Sequence, residues 1–144
     1  INHIIKELNI KNYNKQEFCE YKWSYIWGWI KFDEWIDVLR IIDLLVTTYW
    51  FEDNFYNFGN KETINSICVV SWFWWDDILS AKTQNYDLFI TGEASHRHLI
   101  SAKELEQSVM FWGHRETETI WVNLLAKHLE REFWIETVFL DKKY

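Results

Sequence analysis

In the segment Trp112-Gly113-His114-Arg115-Glu116-Thr117-Glu118-Thr119, an imidazole and a carboxylate stand four residues apart. Neutral imidazole and carboxylate together are ligands for Zn, Fe, Mn or Ni. The preceding run Ser108-Val109-Met110-Phe111 is short enough for a buried strand, and the following residues read as a long amphipathic helix. Residues four apart share a helix face, so His114 and Glu118 can point at the same object. A second group, Thr91-Gly92-Glu93-Ala94-Ser95-His96-Arg97-His98, places Glu93 and His96 just after another strand. That pair suits a general acid and base, or a clamp on substrate. Each group also has a plainer reading. A carboxylate in a first helical turn complements the macrodipole, and Ser95 can cap a helix whose first-turn His96 is merely solvated. His98 reads as a half-buried packing residue, and His3 and His128 as surface residues. Glu116 reads as solvated, and Asp76 and Asp77 as residues favouring a helix N-terminus. The chain contains no P-loop, GxGxxG or GxSxG pattern.

Positioning these groups requires strands and helices in alternation. Continuing the His114–Glu118 face by steps of three or four gives Val122, Leu125, Leu129 and Phe133, a stripe that predicts packing against a sheet. From Thr63 the units are sharp. Strands are predicted over 64–71, 86–91, 109–112 and 135–140, and helices over 75–83, 95–106 and 115–133. Ile78 and Leu79 are expected to face inward in the first of those helices, and Leu99, Ala102 and Leu105 in the second. Before Thr63 the pattern is weaker. Ile1, Ile4, Ile5 and Leu8 form a helical stripe, 11–15 reads as a linker or turn, and 21–30 as a strand. A helix is predicted to start at Phe32-Asp33-Glu34 and to carry Ile36, Val38, Leu39, Ile42 and Leu45, with a strand over 47–55 after it. This order implies one α/β domain of layered helix, sheet and helix, its sheet mainly parallel or mixed. In open α/β sheets, sites form beyond the carboxyl ends of strands. Both His–Glu groups fall at such ends, as does Ser71-Trp72-Phe73-Trp74-Trp75.

The composition narrows the partners. A chain of 144 residues can bury a real core, and a net charge of −7 argues against nucleic acid or an anionic membrane. No apolar segment approaches the ~18 residues needed to span a bilayer. Two cysteines, Cys19 and Cys68, without CxxC spacing, predict reduced thiols in the cytoplasm. One feature is abnormal. Average usage gives roughly ten Gly and seven Pro in such a chain, whereas this one has four and none, with eleven Trp. Several of those Trp, including Trp72, Trp74, Trp75 and Trp134, stand where turns are expected and where positive φ favours glycine. The pattern reads as glycine positions now occupied by tryptophan, the plainer alternative being an aromatic-rich core.

Three stretches occur together in order: Ile67-Cys68-Val69-Val70-Ser71, then Asp87-Leu88-Phe89-Ile90-Thr91-Gly92-Glu93 with Ser95-His96, then Gly113-His114 with Thr117-Glu118-Thr119. Jointly they resemble the C-terminal half of the GTP cyclohydrolase I type 2 homologue family, also called the Nif-three-like family. The combined TGE-x-SH and GH-x3-E pattern carries the resemblance, which is good over residues 60–141 and loose over 1–60. It implies an α/β protein holding two divalent metal ions in a cleft between two similar lobes, assembled as a ring-like hexamer. It further implies that His114 and Glu118 are metal ligands and that His96 lies near the cleft. The remaining ligands would come from an N-terminal His-His pair and a later Asp, and no His-His pair occurs here. The chain therefore resembles one lobe of a longer protein. Where it has Trp72-Phe73-Trp74-Trp75, Trp121 and Trp134, the family tends to glycine.

Two functions are expected from these residues and the resemblance. The first is a metal-dependent hydrolase, its two ions polarising a substrate oxygen and activating water, with Glu93 or His96 positioning substrate or moving protons. The family's name points to a purine nucleotide substrate. The second is a metal-binding scaffold or regulatory protein without catalysis, acting through protein–protein contacts. An inert α/β domain with a chance His–Glu pair is the third and weakest.

Overall fold

The computed structural model describes residues 2–21, 24–49, 54–70 and 78–140. Side chains are described throughout these except at 2–4, 16–21, 24–27, 48–49, 116–118, 120–121 and 124. The predicted turn Ser71-Trp72-Phe73-Trp74-Trp75 and the pair Asp76 and Asp77 lie outside the described residues, as do the side chains of His3, Cys19, Glu116, Glu118 and Trp121.

The elements run α1 Asn2–Glu7, β1 Tyr13–Tyr21, β2 Ser24–Asp37, α2 Val38–Tyr49, β3 Phe55–Tyr56 and β4 Thr63–Val70. They continue as α3 Ile78–Thr83, β5 Leu88–Thr91, α4 His96–Glu104, β6 Ser108–Phe111 and α5 His114–Phe133. One six-stranded sheet has the order β1-β2-β4-β5-β6-β3. Its β4-β5 and β5-β6 pairs are parallel, and the β1-β2, β2-β4 and β3-β6 pairs are antiparallel. The sheet is therefore mixed, and the α/β class holds.

Alternation along the strands splits the core between two faces. On one face Ile30, Phe32, Ile64, Leu88, Ile90 and Met110 pack with Ile5 and Leu8 of the α1 region and with Val38, Ile41, Ile42 and Leu45 of α2. On the other, Cys68, Val70, Phe89 and Val109 pack with Ile78 and Ala81 of α3 and Ala102 of α4. Helices thus cover both faces, as the strand–helix alternation requires.

Several local expectations need correction. The predicted linker 11–15 enters β1 at Tyr13. The helix expected from Phe32 starts at Val38, because buried Ile30 and Phe32 flank exposed Lys31 in the two-residue period of a strand. Extra residues between Lys31 and Ile36 are absorbed as an irregularity in the β2-β4 register. Asp37 then caps α2, its Oδ1 accepting the Leu39 N–H at 2.8 Å, and Leu39 itself faces solvent. The strand expected over 47–55 is instead the end of α2, residues outside the described set, and the two-residue β3. In α3, Ile78 is buried but Leu79 is exposed, since the short helix turns one edge to the sheet.

The C-terminal expectations also change. Residues 135–140 form no strand; Thr137 donates from its N–H and its Oγ1 to Glu130 Oε1, folding the segment back along α5. The stripe expected to pack on the sheet is exposed: Val122 at 53%, Leu125 at 57% and Phe133 at 64%, with Leu129 half-buried. None of the described α5 side chains is buried. The two core faces of the sheet are packed by α1 to α4, and the described apolar stripe of α5 is left largely uncovered.

Candidate functional site

The two parallel pairs β4-β5 and β5-β6 end together, and the chain leaves β5 and β6 at the same edge. Past Thr91 and Phe111 the pairing continues into the loops. The Trp112 N–H donates to Thr91 O at 2.8 Å, and the Gly113 N–H to Gly92 O at 2.7 Å. These bonds hold the two loops side by side where they carry the predicted site residues. Gly113 has φ 88°, a conformation that strains any residue with a Cβ. It turns the chain directly into α5, so that His114 begins the helix at the loop junction. On the other loop, Ser95 is in extended conformation ahead of α4. Its N–H donates to His98 Nδ1 at 3.0 Å, the reciprocal half of a capping box with histidine in place of Glu or Gln. His98 is fully buried rather than half-buried, and this bond explains why burial is tolerated.

The loops join Glu93 to His114: Oε1 lies 3.1 Å from Nδ1, with the side chains 48% and 32% exposed. Beside this pair opens a cavity of about 390 Å³. Glu93, Ser95, His96 and Leu99 line it from the β5-α4 side, Phe111 and Gly113 from the end of β6 and the loop after it, and Asn54 and Tyr56 from the start of β3. His96 is exposed, so it stands at the wall in contact with solvent. Glu118 is on α5, four residues beyond His114, with its side chain outside the described residues. Among the described residues, no group of three or more His, Cys, Asp or Glu converges as a metal cage. The donor types at the loop junction nevertheless fit a borderline divalent ion. A histidine with one ring nitrogen on a carboxylate is the usual arrangement of an oriented metal ligand.

The β3 wall escaped the sequence. Asn54 just precedes, and Tyr56 belongs to, an antiparallel strand, which brings its beginning, not its end, to the site edge of the sheet. The Phe111 N–H donates to Asn54 O at 3.1 Å, fixing that approach. A two-residue strand leaves no periodicity to read, and attention to carboxyl ends alone passes it by.

A profile of the family described as Duf34/NIF3 (NGG1p interacting factor 3) matches residues 3–144. The chain belongs to the Duf34/NIF3 family. Among its relatives, the "GTP cyclohydrolase 1 type 2 homolog" of Treponema pallidum is 44% identical over 73 residues, covering 44% of this chain and 26% of the relative. The protein of that description in Chlamydia pneumoniae is 32% identical over 106 residues, covering 74% of this chain and 42% of the relative. The chain thus spans less than half the length of these Duf34/NIF3 relatives. The solved structure described as reduced HcgD from Methanocaldococcus jannaschii is similar in fold, with a TM-score of 0.72 and 17% identity over 94% of this chain and 52% of that one.

Proposed function

We propose that this chain forms part of a divalent-metal site of a Duf34/NIF3 protein, with His114 and Glu118 as ligands, and that the assembled site is hydrolytic. The observation that carries this reading is the Glu93–His114 contact of 3.1 Å at the mouth of the cavity. With Nδ1 committed to Glu93, Nε2 is the nitrogen that would face an ion, and the carboxylate would fix the ring and raise its basicity. A pair of Zn, Fe, Mn or Ni ions, when bound, would supply Lewis acidity and a more acidic water. The chain's own residues would do the rest. Glu93 orients His114 and, with exposed His96 on the same cavity wall, positions substrate or moves a proton. The Gly92 and Gly113 backbones hold the two loops in register. The remaining ligands would come from parts of the longer protein. Assembly as a homo-oligomer, a hexamer, belongs to the same proposal, supported by the uncovered apolar stripe of α5. So does a cytoplasmic location, supported by the buried Cys68 thiol; no helix among the described residues is long and apolar enough to cross a membrane.

Elemental analysis of the full-length protein with His114→Ala and Glu118→Ala tests the site. Both variants are expected to lose metal while remaining folded by circular dichroism. Wild-type metal content in both would overturn the reading. If metal is lost, phosphoester and cyclic-amide hydrolysis by wild type but not by the variants identifies an enzyme. Its absence from wild type leaves a metal-binding scaffold.

A further inference from the structure

Glu93 reaches His114 from the short loop between β5 and α4, Gly92 to Ser95. Its carboxylate is half exposed, and among the described residues its one polar partner is the His114 ring. The carboxylate is therefore placed by its backbone and not by a cradle of neighbouring donors. That backbone is tied on both sides of Glu93. On one side, Gly92 O accepts the Gly113 N–H at 2.7 Å. On the other, the Ser95 N–H donates to His98 Nδ1 at 3.0 Å, and the His98 N–H returns a bond to Ser95 O at 2.9 Å. The first tie is main chain to main chain. The second depends on a single side chain, fully buried in the first turn of α4. A neutral imidazole has one acceptor nitrogen. With Nδ1 taken by Ser95, Nε2 carries the ring proton, so the Arg97 Nε found 3.1 Å from it is a neighbour from which the ring cannot accept. Arg97 is exposed and can turn to water, whereas the Ser95 N–H is fixed by its place ahead of the helix. The one lone pair of this buried ring serves the loop.

We propose that His98 is a positioning residue for the loop junction. Its Nδ1 anchors Ser95, the anchored loop holds Glu93 against His114, and Glu93 sets which nitrogen of His114 carries the proton. The bearing of this relay on metal rests on the metal-site reading above, and the positioning itself does not. Two replacements decide it. His98→Leu fills the space without an acceptor, whereas His98→Gln offers a side-chain oxygen to the Ser95 N–H, as in an ordinary capping box. Glu93→Ala removes the carboxylate and sets the size of the full effect. In metal-free full-length protein at about pH 8.5, where imidazole is neutral, long-range proton–nitrogen correlation spectra read the proton position on His114. Wild type and His98→Gln are expected to hold it on Nδ1, bonded to Glu93. His98→Leu and Glu93→Ala are expected to move it to Nε2, the form that solvated imidazole prefers. A weaker helix alone would leave that proton in place in the folded protein. With zinc as probe and a chelator as competitor, His98→Leu should bind about tenfold more weakly than wild type, the loss typical when a ligand's orienting partner is removed, and His98→Gln should match wild type. A His114 proton on Nε2 in wild type, or still on Nδ1 in His98→Leu, would overturn the proposal, as would a folded His98→Gln that behaves like His98→Leu. The two readings fail separately: the metal site on the metal content of His114→Ala and Glu118→Ala, and the relay on the His114 proton in protein without metal.

Discussion

Asp87 is the most heavily bonded side chain described, and it lies at the opposite end of β5 from the cavity. Its Oδ2 accepts the Asn65 N–H at 2.9 Å, the Ser66 N–H at 3.1 Å and the Ser66 hydroxyl at 2.8 Å. Its Oδ1 accepts from Lys61 Nζ. The Asp87 N–H returns a bond to Ser66 Oγ at 3.0 Å. Gln107 donates from Nε2 to the carbonyls of Tyr86, Asp87 and Ser108, tying the starts of β5 and β6 together. Next to it, burial, and secondarily the nearby Cys68 thiol, raises the Tyr86 hydroxyl above its ordinary range. This cluster is structural, and its parts should weigh unequally. The Asp87 carboxylate is almost fully buried, whereas Lys61 is nearly half exposed. Removing the carboxylate strands several buried donors, so Asp87→Ala should cost about 2–4 kcal/mol in urea unfolding. Lys61→Ala should cost at most about 1 kcal/mol, since an exposed partner is screened. Equal costs for the two would show that the ion pair, and not the main-chain donors, holds this end of the sheet. In sequence, Asp87 was visible only as part of a family-like stretch, because bonds to residues 21 positions away leave no local signature.

At the scale of elements, legibility followed locality. α4, α5, β5 and β6 were readable because each is a short apolar run or an amphipathic run meeting a local stop signal. Hence the loop junction holding Glu93 and His114 could be placed, and so could His96. The β2–α2 boundary was not readable. Ile30, Phe32, Ile36 and Val38 are compatible with either period until β4 pairs with the strand. Glu93 meeting His114 was also hidden, since it depends on parallel pairing that continues past Thr91 and Phe111. The expectation about turns fares well at the end of α5. Trp134 is its C-terminal cap, left-handed at φ 56°, with its N–H on Glu130 O and its side chain 92% exposed. The other non-glycine residues described at positive φ are Asn9, Asn60, Asn85 and Glu106, and asparagine tolerates that region. An exposed indole gives no packing to offset the strain. Trp134→Gly should therefore raise stability by about 1 kcal/mol. A denaturation midpoint unchanged or lowered by that substitution would show that the cap is not strained.

The whole molecule brings two oddities together: an α5 whose apolar stripe faces solvent, and a composition of eleven Trp, four Gly and no Pro. The first accords with a chain that spans 26% and 42% of the two relatives' lengths, since an exposed apolar stripe of this kind marks a surface for contact with further protein. The second is a different matter, because no partner explains a tryptophan in a left-handed cap. Trp134 has the backbone of a glycine, and it is one of the positions where the family resemblance calls for glycine. The economical account is that the sequence is altered or misassigned at Trp134 and its like, and that the protein made in its own cell carries glycine there. Peptide mass spectrometry on protein from that cell decides the point. Trypsin releases the segment 132–142, between Arg131 and Lys142, which carries a single tryptophan. Its mass is expected to fall short of the tryptophan-containing value by the Trp-to-Gly difference, with the segment 116–127 around Trp121 showing the same deficit. The region then weighs less than the 17.8 kDa calculated for this chain. Tryptophan-bearing masses for both peptides would show instead that the molecule builds its α5 cap on a strained indole.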